Sequence, residues 1–172
     1  MRKPRKIKDG ASYHVISRAN RKEMIFSSVE VKELFMETLR RAKRKFQFSI
    51  KNFCIMGNHY HLIIKPHESE SLSRIMQWIL SVFALNFNRR FGITGHVWND
   101  RFMSKIIHSF KQYLKTFLYI SLNPVRAQVT EKAVDYEYNG ITFLYKGNLD
   151  ILERPPNPFL RSIWFDINNC KN

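Results

Sequence analysis

F-Q-F-S-I-K-N-F-C-I-M-G-N-H-Y-H-L-I-I-K-P, residues 46–66, alternates apolar and polar side chains at Phe46, Phe48 and Ile50 and then runs apolar through Phe53 to Met56. It breaks at Gly57-Asn58, resumes as a second apolar run and stops at Pro66. Alternation that passes into a continuous apolar run suits a strand entering the centre of a sheet. Gly57-Asn58 is turn chemistry, so the two runs fold back as an antiparallel pair, and a proline, having no N–H for the ladder, ends the second. Upstream, Ser27 with Glu30 forms a capping box, and Val31, Leu34, Phe35, Leu39 and Ala42 recur at helical spacing. They predict an amphipathic helix ending near Lys45. S-Y-H-V-I-S-R (12–18) reads as a short strand before it, followed by a basic turn, Ala19-Asn20-Arg21-Lys22.

Downstream, Ser69 or Ser71 caps a long helix whose apolar positions are Leu72, Ile75, Met76, Ile79, Phe83 and Phe87, closing at Gly92. Residues 97–107 predict another strand, and residues 110–122 a third helix with Phe110, Tyr113, Leu114, Phe117 and Leu118 facing inward. Pro124 is expected to prevent that helix from continuing. The order strand, helix, strand, strand, helix, strand, helix is α+β, with one mostly antiparallel sheet covered by helices. Residues 1–172 read as a single domain with a core over about 12–130, a basic arm at 1–10 and an irregular tail over about 131–172 marked by Pro155, Pro156 and Pro158. No internal repeat or low-complexity block is present.

The 172 residues are 44% hydrophobic and 14% aromatic, enough for a globular core. Lys and Arg outnumber Asp and Glu by 29 to 14, for a net charge of +15 and a pI of 10.1. Such a surplus favours a polyanionic partner, nucleic acid before anionic membrane. Two cysteines, Cys54 and Cys170, exclude a disulfide framework or a cysteine zinc cluster. No apolar run approaches the ~18 residues of a membrane span. A cytoplasmic protein with no membrane association is the expectation.

His59 and His61 lie two apart on a predicted strand, so both imidazoles point to the same face and can converge on one ion. The pair alone does not choose, because strand histidines also serve as core or surface groups. Tyr119 and Asn123 lie four apart and share a helical face. Among the seven tyrosines, Tyr119 is the one on a predicted helix with a polar, metal-capable side chain four positions on. An amphipathic core tyrosine and a plain C-cap asparagine would explain these two taken alone. Together the four make chemical sense. Two imidazoles and an amide oxygen are three neutral ligands that leave room on a divalent ion for phosphate oxygens. Such an ion acts as a Lewis acid and helps a phenol, with a pKa near ~10, to attack.

Three ordered motifs carry a resemblance: G-N-H-Y-H-L-I-I-K-P (57–66), W-N-D-R-F-M-S (98–104) and Y-I-S-L-N-P-V-R-A (119–127). With the basic turn S-R-A-N-R (17–21), they resemble the single-tyrosine HUH transposases of the IS200-like type, and the REP-associated tyrosine transposases above all. The resemblance covers residues from about Tyr13 to Ala127. It implies a ferredoxin-like fold with a C-terminal catalytic helix, His59 and His61 as the metal-binding pair, Asn123 as third ligand and Tyr119 as nucleophile. It also implies a divalent ion, Mg²⁺ or Mn²⁺, and cleavage of single-stranded DNA beside a hairpin through a 5′-phosphotyrosine link. The insertion-sequence branch is dimeric with exchanged tyrosine helices; the N-P-V-R-A run favours the REP-associated branch and a monomer. Tyr60 stands where an aliphatic residue is usual, Gly57 replaces a common proline and Ala19 replaces a glycine. D-Y-E-Y-N-G (135–140) departs from the W-S-S-Y pattern of relatives, which bears on the DNA target more than on the chemistry.

Arg18, Arg21, Lys22, Arg101, Lys105 and Arg126 flank these motifs and are candidate phosphate contacts, as Lys and Arg on phosphate give affinity without sequence choice. Each alone is as readily a solvated surface charge. Trp98, Phe102 and Tyr60 are candidate base-stacking platforms, with core packing the competing fate of Phe102. His14, His67, His96 and His108 have no partner at ligand spacing and are read as structural or surface groups. Two further readings compete. One is a hairpin-binding protein that does not cleave. The other is a metal-dependent hydrolase using activated water, which needs an acidic group and finds only Asp100 among the motifs.

Overall fold

The structure, a computed structural model, describes residue 8 and residues 10–155. Four strands, β1 (Ser12–Arg18), β2 (Phe48–Ile55), β3 (His59–Pro66) and β4 (Met103–Ile107), form one sheet in the order β2-β3-β1-β4. Every neighbouring pair is antiparallel. Helix α1 (Val29–Lys45) crosses from β1 to β2, and α2 (Leu72–Phe91) from β3 to β4. This is the βαββαβ arrangement of ferredoxin-like folds, as expected.

The register of β1 on β3 sets the two faces of the sheet. Tyr13 lies opposite Ile64, Val15 opposite Leu62 and Ser17 opposite Tyr60, all buried. On that face the rings of Phe35 from α1 and Phe83 from α2 pack with Tyr60 and Trp98; the Phe35 and Tyr60 centroids are 4.5 Å apart. His14, Ile16 and Arg18 alternate onto the other face, where Ile16 pairs with His61 and Arg18 with His59. Helix α3 (Phe110–Ser121) covers this second face. It is tied down by Asn52, wholly buried on β2, whose Nδ2 donates to Phe117 O at 3.1 Å and Ser121 Oγ at 3.0 Å.

Several expectations are corrected. The α1 cap is Ser28, whose Oγ accepts from Val31 N at 3.2 Å, so the helix starts a residue later than the capping-box reading places it. Residues 97–102 are not a strand: Trp98 makes only an isolated bridge to Ala19, and its indole N–H donates to Leu80 O at 2.9 Å. Two backbone bonds, Asn20 N to Val97 O at 2.8 Å and Asn99 N to Arg18 O at 3.0 Å, and the aromatic core hold this segment without a continuing ladder. As expected, α3 does not continue through Pro124: it ends at Ser121, and the chain starts a fresh turn, α4 (Asn123–Arg126), in which the missing N–H of Pro124 is no loss. Phe110 is 54% exposed rather than inward-facing, because the buried positions of α3 are Phe117, Ile120 and Ser121.

The chain beyond residue 130, expected to be irregular, is built into the molecule as far as it is described. A 3-10 turn at Ala133–Asp135 leads to α5 (Gly140–Tyr145). Ile55 N donates to Tyr138 O and Glu153 N to Ile50 O, so this segment satisfies the outer edge of β2. Asn139, fully buried, donates from Nδ2 to Ser121 O at 2.8 Å, a second clamp on the end of α3. Arg2, Lys3, Arg5 and Lys6 of the basic arm, and Pro156, Pro158 and Cys170 of the tail, lie outside the described residues.

Candidate active site

His59 and His61 project from β3 onto the face covered by α3, their ring centroids 5.0 Å apart and their planes near perpendicular. Strand alternation sends Tyr60 to the opposite face, where it is fully buried. His61 is 3% exposed. Its ring stacks on that of His14 from β1, centroids 5.2 Å apart, with His14 Nε2 2.9 Å from His61 Nδ1. The sequence reading sets His14 aside as structural or surface; its parity on β1 was the available signal. It shares a face with Arg18, and Arg18 lies opposite His59.

Tyr119 reaches the cluster from α3. Its ring centroid is 5.6 Å from that of His61 and 6.0 Å from that of His14, and it remains 42% exposed. Leu122, at φ −87° and ψ 1°, interrupts the helix, yet Asn123 still faces inward with Nδ2 3.2 Å from His61 Nε2. An amide N–H only donates, so His61 Nε2 accepts and Nδ1 carries the ring proton toward His14. His59 Nδ1 lies 2.7 Å from Asn58 Oδ1, an acceptor, and so carries its proton too. Both histidines thus direct an Nε2 lone pair away from their hydrogen-bonded Nδ1.

Electrostatics keep these rings neutral. Burial, then the charge of His59, His14 and Arg18, lowers His61 to about 3. Burial, then Lys105, lowers His14 to about 4. His59 is lowered as well, by burial and then Arg18. Neutral imidazole is the ligand form, so protons do not compete for these nitrogens at neutral pH. Among the described residues no group of three or more His, Cys, Asp or Glu side chains is placed to hold a metal. The donors at hand are the two imidazoles and the Asn123 amide, a neutral set whose chemistry fits a divalent ion completed by phosphate and water.

The sequence profile of the family described as "Transposase IS200 like" matches residues 8–122, which hold β1 to β4 and all of α3. This chain belongs to the IS200-like transposase family. Among solved structures, the IS200-like fold recurs in a REP-associated tyrosine transposase bound to a REP hairpin. The likeness has a TM-score of 0.72 at 20% identity, over 89% of each chain. A crystal structure of a putative transposase from Deinococcus radiodurans R1 is similar with a TM-score of 0.50 at 16% identity, over 67% of this chain and 96% of that one. No curated protein matches the sequence.

Around the site of this IS200-like protein, the basic candidates fall into place unequally. Arg18 is exposed opposite His59, and Lys105 is exposed on β4 opposite His14. The Arg126 guanidinium lies 5.3 Å from the centroid of the Tyr119 ring. Arg21 and Lys22 are exposed in the 3-10 turn after β1, with φ of 49° and 60°. Ala19, by contrast, is extended at φ −61°, so a glycine is not needed there. Arg101 is exposed on the loop leading into β4. The stacking expectation is corrected for Tyr60, which is buried in the core; Phe102 is buried too and takes the core-packing fate, while Trp98 is half-buried with its indole N–H engaged.

Proposed function

We propose that the protein nicks and rejoins single-stranded DNA beside a hairpin, with Tyr119 as nucleophile. The observation that carries this reading is the meeting of an exposed tyrosine with two neutral, buried-side imidazoles and an amide that come from separate elements. His59 and His61, through Nε2, would hold Mg²⁺ or Mn²⁺ together with Asn123 Oδ1, the Asn123 amide turning over so that its Nδ2 gives up the bond to His61 Nε2 and its oxygen faces the ion. The ion, when bound, supplies Lewis acidity at the scissile phosphate. The chain's own residues do the rest. Tyr119 Oη loses its proton and bonds to phosphorus; the bond from phosphorus to the 3′ oxygen breaks, and that oxygen takes up a proton. A 5′-phosphotyrosine and a free 3′-hydroxyl result. The reverse attack by a 3′-hydroxyl rejoins strands and returns the phenol, so no nucleotide hydrolysis is required.

Arg126, stacked on the Tyr119 ring, places a positive charge where phenolate and phosphate charge develop. Arg18 and Lys105 border the histidines, and with Arg21, Lys22 and Arg101 they are the proposed phosphate contacts. The hairpin-bound relative supports a hairpin partner for this chain. A cytoplasmic site of action is proposed with it. A labelled hairpin with single-stranded flanks, incubated with Mn²⁺ and resolved on a denaturing gel, tests the reading. A covalent adduct should form with the native protein and vanish in Tyr119→Phe. An adduct that persists in the variant would remove Tyr119 as nucleophile; binding with no adduct, in Mn²⁺ or in a parallel incubation with Mg²⁺, would leave a hairpin-binding protein that does not cleave.

A further inference from the structure

The basic turn after β1 is strained. Arg21 and Lys22 both occupy the left-handed region that L side chains rarely adopt, at φ 49° and 60°. Consecutive residues stay there only where their surroundings hold them. Three bonds do so. Ala19 N donates to Asn58 O at 2.8 Å, Asn20 N donates to Val97 O at 2.8 Å, and the Asn58 side chain donates from Nδ2 to Lys22 O at 3.3 Å.

The third bond reaches further than the turn. A backbone carbonyl can only accept, so it fixes which end of the Asn58 amide faces Lys22. The oxygen end is thereby turned to His59, whose Nδ1 lies 2.7 Å away. An oxygen acceptor there requires the proton on Nδ1, which leaves the lone pair on Nε2. The carbonyl of a strained, exposed, cationic turn thus decides the tautomer of one histidine of the pair.

We propose that Asn58 is a positioning residue that locks His59 with its Nε2 lone pair free and makes this lock depend on the Arg21-Lys22 turn, so that phosphate gripped by the turn is felt at His59. The inference rests on the reading of His59 as a ligand and of the turn as a phosphate contact. DNA charge on Arg21 and Lys22 steadies the strained backbone and with it the Lys22 carbonyl. Outer partners of this kind fix ring orientation and donor strength in metal-binding histidines.

Long-range ¹H–¹⁵N correlation of the histidine rings in the full-length protein, without divalent ions, reads the tautomer directly. His59 should be the Nδ1–H form in the native protein and a mixture in Asn58→Ala, with Mn²⁺ affinity reduced about 10- to 100-fold. Asn58→Asp separates the two halves of the proposal, because a carboxylate accepts from His59 but cannot donate to Lys22 O. It should keep the Nδ1–H tautomer and bind hairpin DNA, yet lose the shift of the His59 ring nitrogens that DNA produces in the native protein. A native His59 in the Nε2–H form, or an undiminished DNA response in Asn58→Asp, would overturn the proposal. The expected tautomers with no Mn²⁺ binding at all would support the positioning role and remove the metal reading instead.

Discussion

His14 shows what a single residue adds to the site. Its Nε2 accepts the Nδ1 proton of His61, so the buried ring is held in one orientation and one tautomer. Replacement by alanine leaves that proton without its partner, and is expected to weaken Mn²⁺ binding about 10- to 100-fold with little change in fold, measured by metal titration and circular dichroism. Acid provides a second test. His14 and His61 sit at about 4 and about 3 in the folded protein, depressed from the ordinary value of 6.5. The unfolded chain therefore holds more protons between pH 6.5 and about 3, and stability in chelator must fall as pH drops through that window. Urea unfolding at pH 7.5, 5.5 and 4.5 should show the decline, and the His14→Ala protein a shallower one. An equal slope in both would mean that His14 contributes nothing to it. The sequence offered His59, His61, Tyr119 and Asn123 as candidates because each pair has a local spacing, two on a strand and four along a helical stretch, while their proposed roles came from the resemblance of the motifs to the family. His14 and Asn58 were not, since their roles depend on strand register and on the orientation of one amide.

At the level of elements, the helix bearing Tyr119 is aimed by two buried asparagines rather than by its apolar stripe alone. Asn52 and Asn139 both bond to the last turn of α3, the first from β2 and the second from the segment before α5. Gly140 is packed against Asn52. A Cβ there would lie 2.3 Å from Asn52 Oδ1 and 2.9 Å from Phe53 N, and the backbone atom cannot move aside. Gly140→Ala is thus expected to cost about 1–3 kcal/mol in denaturant unfolding and to lower nicking by displacing α3, whereas Gly147→Ala, strained by its φ of 69° but meeting no atom within 4 Å, should lose stability and leave nicking intact. Equal nicking by the native and Gly140→Ala proteins would show that α3 is aimed some other way. Elements with a strong period, α1, α2, β2 and β3, were legible to within a residue or two. Residues 97–102 were not, because a Trp and two other apolar side chains read as a strand while serving the core from an irregular path. Residues 133–145 were missed because they owe their order to β2 and α3, and carry little periodicity of their own.

Across the whole molecule, Tyr119 meets the histidines of its own chain, so one copy holds a full set of candidate groups. A monomer is the proposed working form. Mixing Tyr119→Phe with His61→Ala should then restore no nicking; recovery in the mixture would reveal exchange of α3 between two copies, and sizing would show the dimer. The positive surplus is likewise a property of the whole chain, and it was plain from composition. Which cations border the histidines was not, since that required β1 and β4 to be set beside β3. No helix among the described residues is long and apolar enough to cross a membrane.

The sheet's two faces are occupied by different tasks. Phe35, Tyr60, Phe83 and Trp98 knit one side together, while His14, His59 and His61 stand on the other with Tyr119 above them. Heredity can therefore tinker with one side and spare the other. A descendant that lost its tyrosine or a histidine would keep the packed half that makes it fold, so that a single codon separates a chain with the full set of candidate groups from one that retains only the frame.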